Sequence, residues 1–173
     1  MDIYLTIEEK YLQAVDKLGY GYNKKALRLL NEIVAADPFY ARAHYQLGKL
    51  HYYEVKDYQA AGYHFKTCAE LEPSFPDVYA DYLHLLVFLK MGKLVQLVSE
   101  KALGVAGVDV AYIHYLSGLY AEKQMNWDSA IESYHEAYLH ALSKNERDTA
   151  EECIGRVKAK KSRSAKFNYE LSN

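Results

Sequence analysis

The chain has 173 residues and a mass of 19.9 kDa; half of the residues are hydrophobic, a quarter are charged, and the formal net charge is −2. Such a chain can bury a core, and it is neither a strongly basic nucleic-acid binder nor an acidic disordered polymer. Eighteen Tyr, against five Phe and one Trp, stand beside only nine Gly and three Pro, which argues against turn-rich sandwiches, barrels and disulfide scaffolds and for long helices.

In chain order, the first helix pair places the small residue Ala14 on its first helix and Asn23, Ala26, Leu30 and Ile33 on its second, and closes at Asp37-Pro38. The second pair repeats this with Gly48, then Asp57, Ala61, Phe65 and Cys68, closing at Glu72-Pro73. From Ala26, Leu30, Ile33 and Pro38 to Ala61, Phe65, Cys68 and Pro73 the offset is 35 each time, the mark of a repeat array. A divergent third copy runs from about Asp77 to Gly104, with Gly92 at its interhelix turn, Leu97 at the alanine site and Lys101 near the aromatic site. The fourth has Gly118, Asn126, Ala130, Tyr134 and Ala137, with Leu142 where a proline would close it. Ser143 and Glu146 then form a capping box before a one-sided stripe of Ala150, Cys153, Ile154 and Val157. The opposite face of that last helix carries Glu151, Glu152, Arg156 and Lys158, as a soluble end requires. Beyond Lys161 little pattern remains, so 162–173 is expected to be a frayed tail.

Two helices that must approach closely need a small residue where they cross, and Ala14, Gly48 and Gly118 supply it. Asn23, Asp57 and Asn126 stand at second-helix starts, where a short polar side chain can accept from an unpaired amide. Asp37 and Glu72 precede prolines and so mark helix ends. One hairpin cannot cover its own i, i+4, i+7 stripe, so neighbours stack.

With Leu47-Gly48, Ala61, Phe65, Cys68 and Pro73 in one copy and Gly118, Ala130, Tyr134 and Ala137 in another, the chain resembles the tetratricopeptide repeat family over nearly its whole length. The resemblance implies an all-α, right-handed superhelical solenoid of antiparallel helix pairs. Its units fall at about 7–38, 41–73, 77–104 and 111–142, with a capping helix at about 144–161, all in one domain of residues 1–161. It also implies a concave groove lined by the first helices, where partner peptides bind.

At about 100° per residue, the second, fifth, ninth and twelfth places of each unit share a helix face. The fifth place holds Tyr11, Tyr45, Tyr82 and Tyr115; the second adds Tyr79 and Tyr112 beside Arg42; the twelfth adds Tyr52. Lys49 and Leu119 take ninth places. Rigid rings tipped with hydroxyls suit a peptide-binding surface, so Tyr11, Arg42, Tyr45, Lys49, Tyr52, Tyr79, Tyr82, Tyr112, Tyr115 and Leu119 form the candidate groove. The alternative is that these rings fill gaps between helices. Of the lysine and asparagine clamp by which some family members hold C-terminal carboxylates, only Lys49 has a counterpart.

Charge offers a second candidate. Residues 154–173 carry six Lys or Arg against one acid, +5, and residues 1–153 carry 15 against 22, −7. The basic end can complement a helix dipole, or it can contact an acidic partner, RNA, or the protein's own acidic body. Nucleic acid is not the expected partner.

No catalytic constellation emerges. His135-Glu136 and His140 superficially echo a zinc-protease motif, but the two histidines are five apart, about 140° around a helix. His44 and His114 share a repeat position, which shared packing explains better than ligation. Gly19 and Gly21 sit in a turn without the third glycine of a dinucleotide loop. No cofactor, metal or catalytic residue is expected. Cys68 and Cys153 stand apart in apolar surroundings, as buried thiols of a reducing compartment do. Met1-Asp2-Ile3-Tyr4 has no secretory character, and the apolar run Leu85 to Leu89 is far short of the roughly 20 residues of a membrane span. The expected protein is a cytoplasmic, non-catalytic scaffold that binds a peptide or protein partner and has no membrane contact; self-association through the apolar groove is the alternative.

Overall fold

A computed structural model describes the backbone of residues 5–171 and the side chains of residues 5–164. The described chain is all-α, with nine α-helices and one π-helical turn. It divides into two compact units, Met1–Leu85 and Leu86–Asn173.

In the first unit, α1 (Ile7–Gly19) and α2 (Asn23–Ala36) form one hairpin, and α3 (Ala41–Lys49) with α4 (Tyr58–Leu71) forms the next. Thr6 starts α1: its hydroxyl accepts from the Glu9 amide while the Glu9 carboxylate accepts from the Thr6 amide, a capping box the sequence reading did not single out. Asp57 caps α4 as expected, accepting from the Ala60 amide at 3.0 Å. Asn23 does not cap; it is the first residue inside α2, and Tyr22 holds the cap position without a side-chain bond. Asp37 and Glu72 end α2 and α4. The core of the first hairpin gathers Ala14, Ala26, Leu30, Ile33, Ala43 and Leu47, all fully buried.

Gly48 lies where α3 meets α4. A β-carbon there would come within 2.5 Å of the Phe65 ring, so only glycine admits that aromatic. Past Lys49 the helix widens into the π-helical turn Leu50–Val55. That turn narrows the angle between successive side chains to about 80°, and both Tyr52 and Tyr53 reach helix α5 (Asp77–Phe88): Tyr52 Oη lies 2.8 Å from His84 Nδ1, and Tyr53 donates to Asp81 Oδ1 at 2.7 Å.

The second unit continues with α6 (Gly92–Leu103), α7 (Val110–Lys123), α8 (Trp127–His140) and α9 (Lys144–Leu171). Gly118 repeats the role of Gly48, its absent β-carbon lying 2.8 Å from the Tyr134 ring. Around that crossing Ala121, Ala130, Tyr134, Cys153 and Val157 form the core. Asn126 caps α8 through the Ser129 amide, and the Ser143–Glu146 capping box opens α9. Helix α9 buries Ala150, Cys153 and Val157 and continues through Leu171, past the 161 end placed from the sequence pattern.

Every hairpin turns through a left-handed residue, at Gly21, Lys56, Lys90 and Met125, with φ of 74°, 63°, 58° and 59°. Their spacings of 35, 34 and 35 carry the repeat through its divergent third copy. They also reset that copy's frame. Helix α6 buries Val95, Val98 and Ala102, so Val95 stands at the alanine site, while Leu97, assigned there from sequence, is 47% exposed.

Candidate functional site

Within the first unit, Tyr45, Tyr52, Tyr79 and Tyr82 are buried, between 3% and 9% exposed. The hydroxyls of Tyr45, Tyr52 and Tyr79 each have a local partner. Tyr45 donates to Asp81 Oδ2 at 2.8 Å, and Tyr79 donates to the Pro73 carbonyl at 2.7 Å. Burial, reinforced by the Asp81 charge, pushes the Tyr45 phenol far above its ordinary range. The Phe75 ring stands edge-on to Tyr45, with centroids 5.1 Å apart, and Tyr82 lies 6.3 Å from Phe65. Lys49 holds its ammonium over the Tyr45 ring at 5.2 Å, a cation–π contact. Tyr11 is half-buried against Tyr40, whose hydroxyl donates to Glu8 at 2.5 Å, and Arg42 is exposed nearby. Asp81, which receives the hydroxyls of both Tyr45 and Tyr53, had no motif to single it out; the repeat frame of α5 was the available signal.

In the second unit, Tyr112 and Tyr115 stack at 6.0 Å with only 13° between ring planes. Tyr112 is 36% exposed, and Tyr115 rests half-buried on Tyr134. Together they line a cleft of about 350 Å³ floored by Ala111, Ala137 and Ala150 and edged by Asp109, Asn145, Glu146 and Thr149. The small floor residues let the helices recede beneath the rings. Asp109 caps α7 by accepting from the Tyr112 amide at 2.9 Å, which fixes the backbone that carries the stack. Glu146 accepts from the amides of Leu142 and Ser143, and these bonds hold its carboxyl below the ordinary range, so the rim stays anionic at neutral pH. Leu119, two places past Ser117 on α7, is half-buried.

The basic end of the chain finds its acid inside the same unit. Glu122 on α7 is buried, and its carboxylate accepts from Arg156 Nε and Nη2 at 2.9 and 2.7 Å, Lys160 at 2.8 Å and the Tyr134 hydroxyl at 2.8 Å. Lys161 pairs with Asp128. The Arg156 contact, helped by Lys160 and Tyr134 against the cost of burial, lowers the Glu122 pKa to about 2. Of the readings the charge asymmetry left open, contact with the protein's own acidic residues is therefore realised at three of the basic positions.

Helical hairpins at a 34- to 35-residue spacing, with the small residues Ala14, Gly48 and Gly118 at three of the crossings, define a tetratricopeptide-like repeat fold. Solved structures agree. A MamA fragment, residues 41 to the end, from Desulfovibrio magneticus RS-1 is 23% identical, with a TM-score of 0.66 over 88% of this chain and 93% of that one. Another MamA crystal structure is 19% identical, with a TM-score of 0.69 over 93% and 94%. PilW, a type IV pilus biogenesis factor, is 14% identical, with a TM-score of 0.65 over 87% of this chain and 77% of that one. No protein-family model and no curated protein matches the sequence. Among the described residues no helix is long and apolar enough to cross a membrane.

Proposed function

We propose that the protein is a non-catalytic interaction scaffold that seats a peptide or protein segment on the stacked Tyr112–Tyr115 wall. The cleft carries this proposal: two aromatic faces over an alanine floor offer apolar contact, and Asn145, Thr149 and Glu146 offer polar partners at the rim. Such a surface accepts an apolar side chain flanked by backbone or cationic donors. The fold supports it by likeness, since PilW is described as a biogenesis factor, an assembly role. Tyr45, Tyr52, Tyr79 and Tyr82 serve this function indirectly, by holding the first unit together, while Tyr11 and Arg42 remain at its surface.

The test is to pan a displayed peptide library on the intact chain and to measure recovered peptides against Tyr112→Ala. Loss of one aromatic face should weaken binding about ten- to a hundredfold at unchanged helicity. Peptides that bind the variant as tightly as the parent chain would place recognition elsewhere.

A further inference from the structure

The two histidines at equivalent repeat positions are not equivalent in the structure. His44 lies one turn before Gly48 on α3, and both of its ring nitrogens are engaged. Its Nε2 is 3.0 Å from the Pro38 carbonyl, which can only accept, so Nε2 carries the proton and Nδ1 accepts from His64 Nδ1 at 3.0 Å. His114 lies one turn before Gly118 on α7, in the same relation to its hairpin crossing, yet neither of its ring nitrogens has a hydrogen-bond partner among the described residues. It faces instead Glu136 and His140 of α8. Its ring lies parallel to that of His140, with centroids 5.8 Å apart and planes 14° apart.

Glu136 and His140 are one helical turn apart, so they project from one face of α8, and His140 Nε2 is 3.8 Å from Glu136 Oε2. One ligand atom from each of His114, Glu136 and His140 lies within 4.8 Å of the other two. We propose that these three side chains form a site for a late first-row divalent cation, Zn²⁺ in the first instance, with two imidazole nitrogens and one carboxylate oxygen as ligands.

The donor set and its mounting both support this. Two nitrogens and one oxygen from two helices match the ligand types that Zn²⁺ takes, and three protein ligands leave a position for water or a partner's side chain. Bonds of about 2.0–2.2 Å put tetrahedral ligand atoms about 3.4 Å apart. The present spread therefore has to close by about 1.5 Å at most. His140, whose side chain is half exposed, has room to rotate toward that geometry. The backbone is already fixed, because the Gly118–Tyr134 crossing locks α7 against α8 one turn away. His135 and His140, five apart on α8, do not share a face; the second imidazole comes from the neighbouring helix instead.

Titration calorimetry of the untagged full chain with Zn²⁺ tests the site, with Co²⁺ absorption as a report on coordination geometry. One equivalent should bind, Co²⁺ should show the visible bands of a low-coordinate site, and His140→Ala should weaken Zn²⁺ at least tenfold. Glu136→Gln should weaken it as well, whereas His135→Ala should leave it unchanged. His140 is exposed, so its loss does not threaten the fold, and circular dichroism of each variant checks this. The proposal is overturned if no stoichiometric binding occurs, if His140→Ala binds as the parent does, or if binding is lost on His64→Ala instead.

Discussion

Replacing Glu122 with Gln keeps the shape of a buried side chain and removes the charge on which Arg156, Lys160 and Tyr134 converge. Hydrogen bonds to an ionised group contribute about 1.5–3 kcal/mol each, but they share one carboxylate and are not additive. Gln retains one acceptor oxygen, and its amide turns a donor toward a donor. Against this, the side chains of Arg156 and Lys160 are 45% and 49% exposed and recover hydration when released, whereas that of Glu122 is 6% exposed. The net loss is then about 2–3 kcal/mol, below the full cost of orphaning a buried charge, and it lowers the melting temperature by about 5–10 °C for a chain of this size. The carboxylate itself provides the control. Its folded pKa is depressed to about 2, so its stabilisation is complete above the ordinary carboxylate pKa and is lost as the pH falls through about 2. Urea melts of parent and variant, followed by circular dichroism, should differ by the full amount at pH 7 and converge as the pH is taken from 4.5 toward 2. A gap under about 0.5 kcal/mol at pH 7, or one that persists unchanged at pH 2, would refute the assignment.

Two further changes probe the hairpins. Gly48→Ala drives a β-carbon into the Phe65 ring; overpacking costs about 1–3 kcal/mol and alanine's helix propensity returns up to about 1, so a net loss of about 1–2 kcal/mol should appear in denaturant melts. Met125→Gly relieves a left-handed residue whose side chain is 72% exposed, and thermal melts should show a gain of about 0.5–1 kcal/mol after the added chain entropy of glycine is subtracted.

The hairpins were legible because their periodicity is written in side-chain volume. A glycine opposite an aromatic, repeated after two periods, leaves few other packings, and Gly48–Phe65 and Gly118–Tyr134 realise it. The third copy was harder: its turn residue is Lys90, which has no glycine signature, so counting from Gly92 put Leu97 in the place that Val95 occupies. The tyrosines divide for a related reason. A helical wheel gives the direction of a side chain, and its depth depends on what another element lays over it. Phe75, in the connection between α4 and α5, stands against Tyr45, and nothing in the spacing of the tyrosines announces it. Tyr112 and Tyr115 line a cleft because three alanines from three helices meet below them, a coincidence visible only in three dimensions. The His114 cluster likewise needs two helices, and no single-helix motif could display it.

The two thiols fall one to each compact unit, Cys68 in the first and Cys153 in the second, and both are buried. Burial, with the nearby Glu72 charge, pushes the Cys68 thiol up to about 12, so it carries almost no thiolate at neutral pH while its helix stays packed. Because both thiols are buried, alkylation at either position proceeds through opening of the surrounding helices. The chain thus carries a built-in pair of clocks: labelling resolved by mass spectrometry times the local opening of each half separately, without any engineered probe.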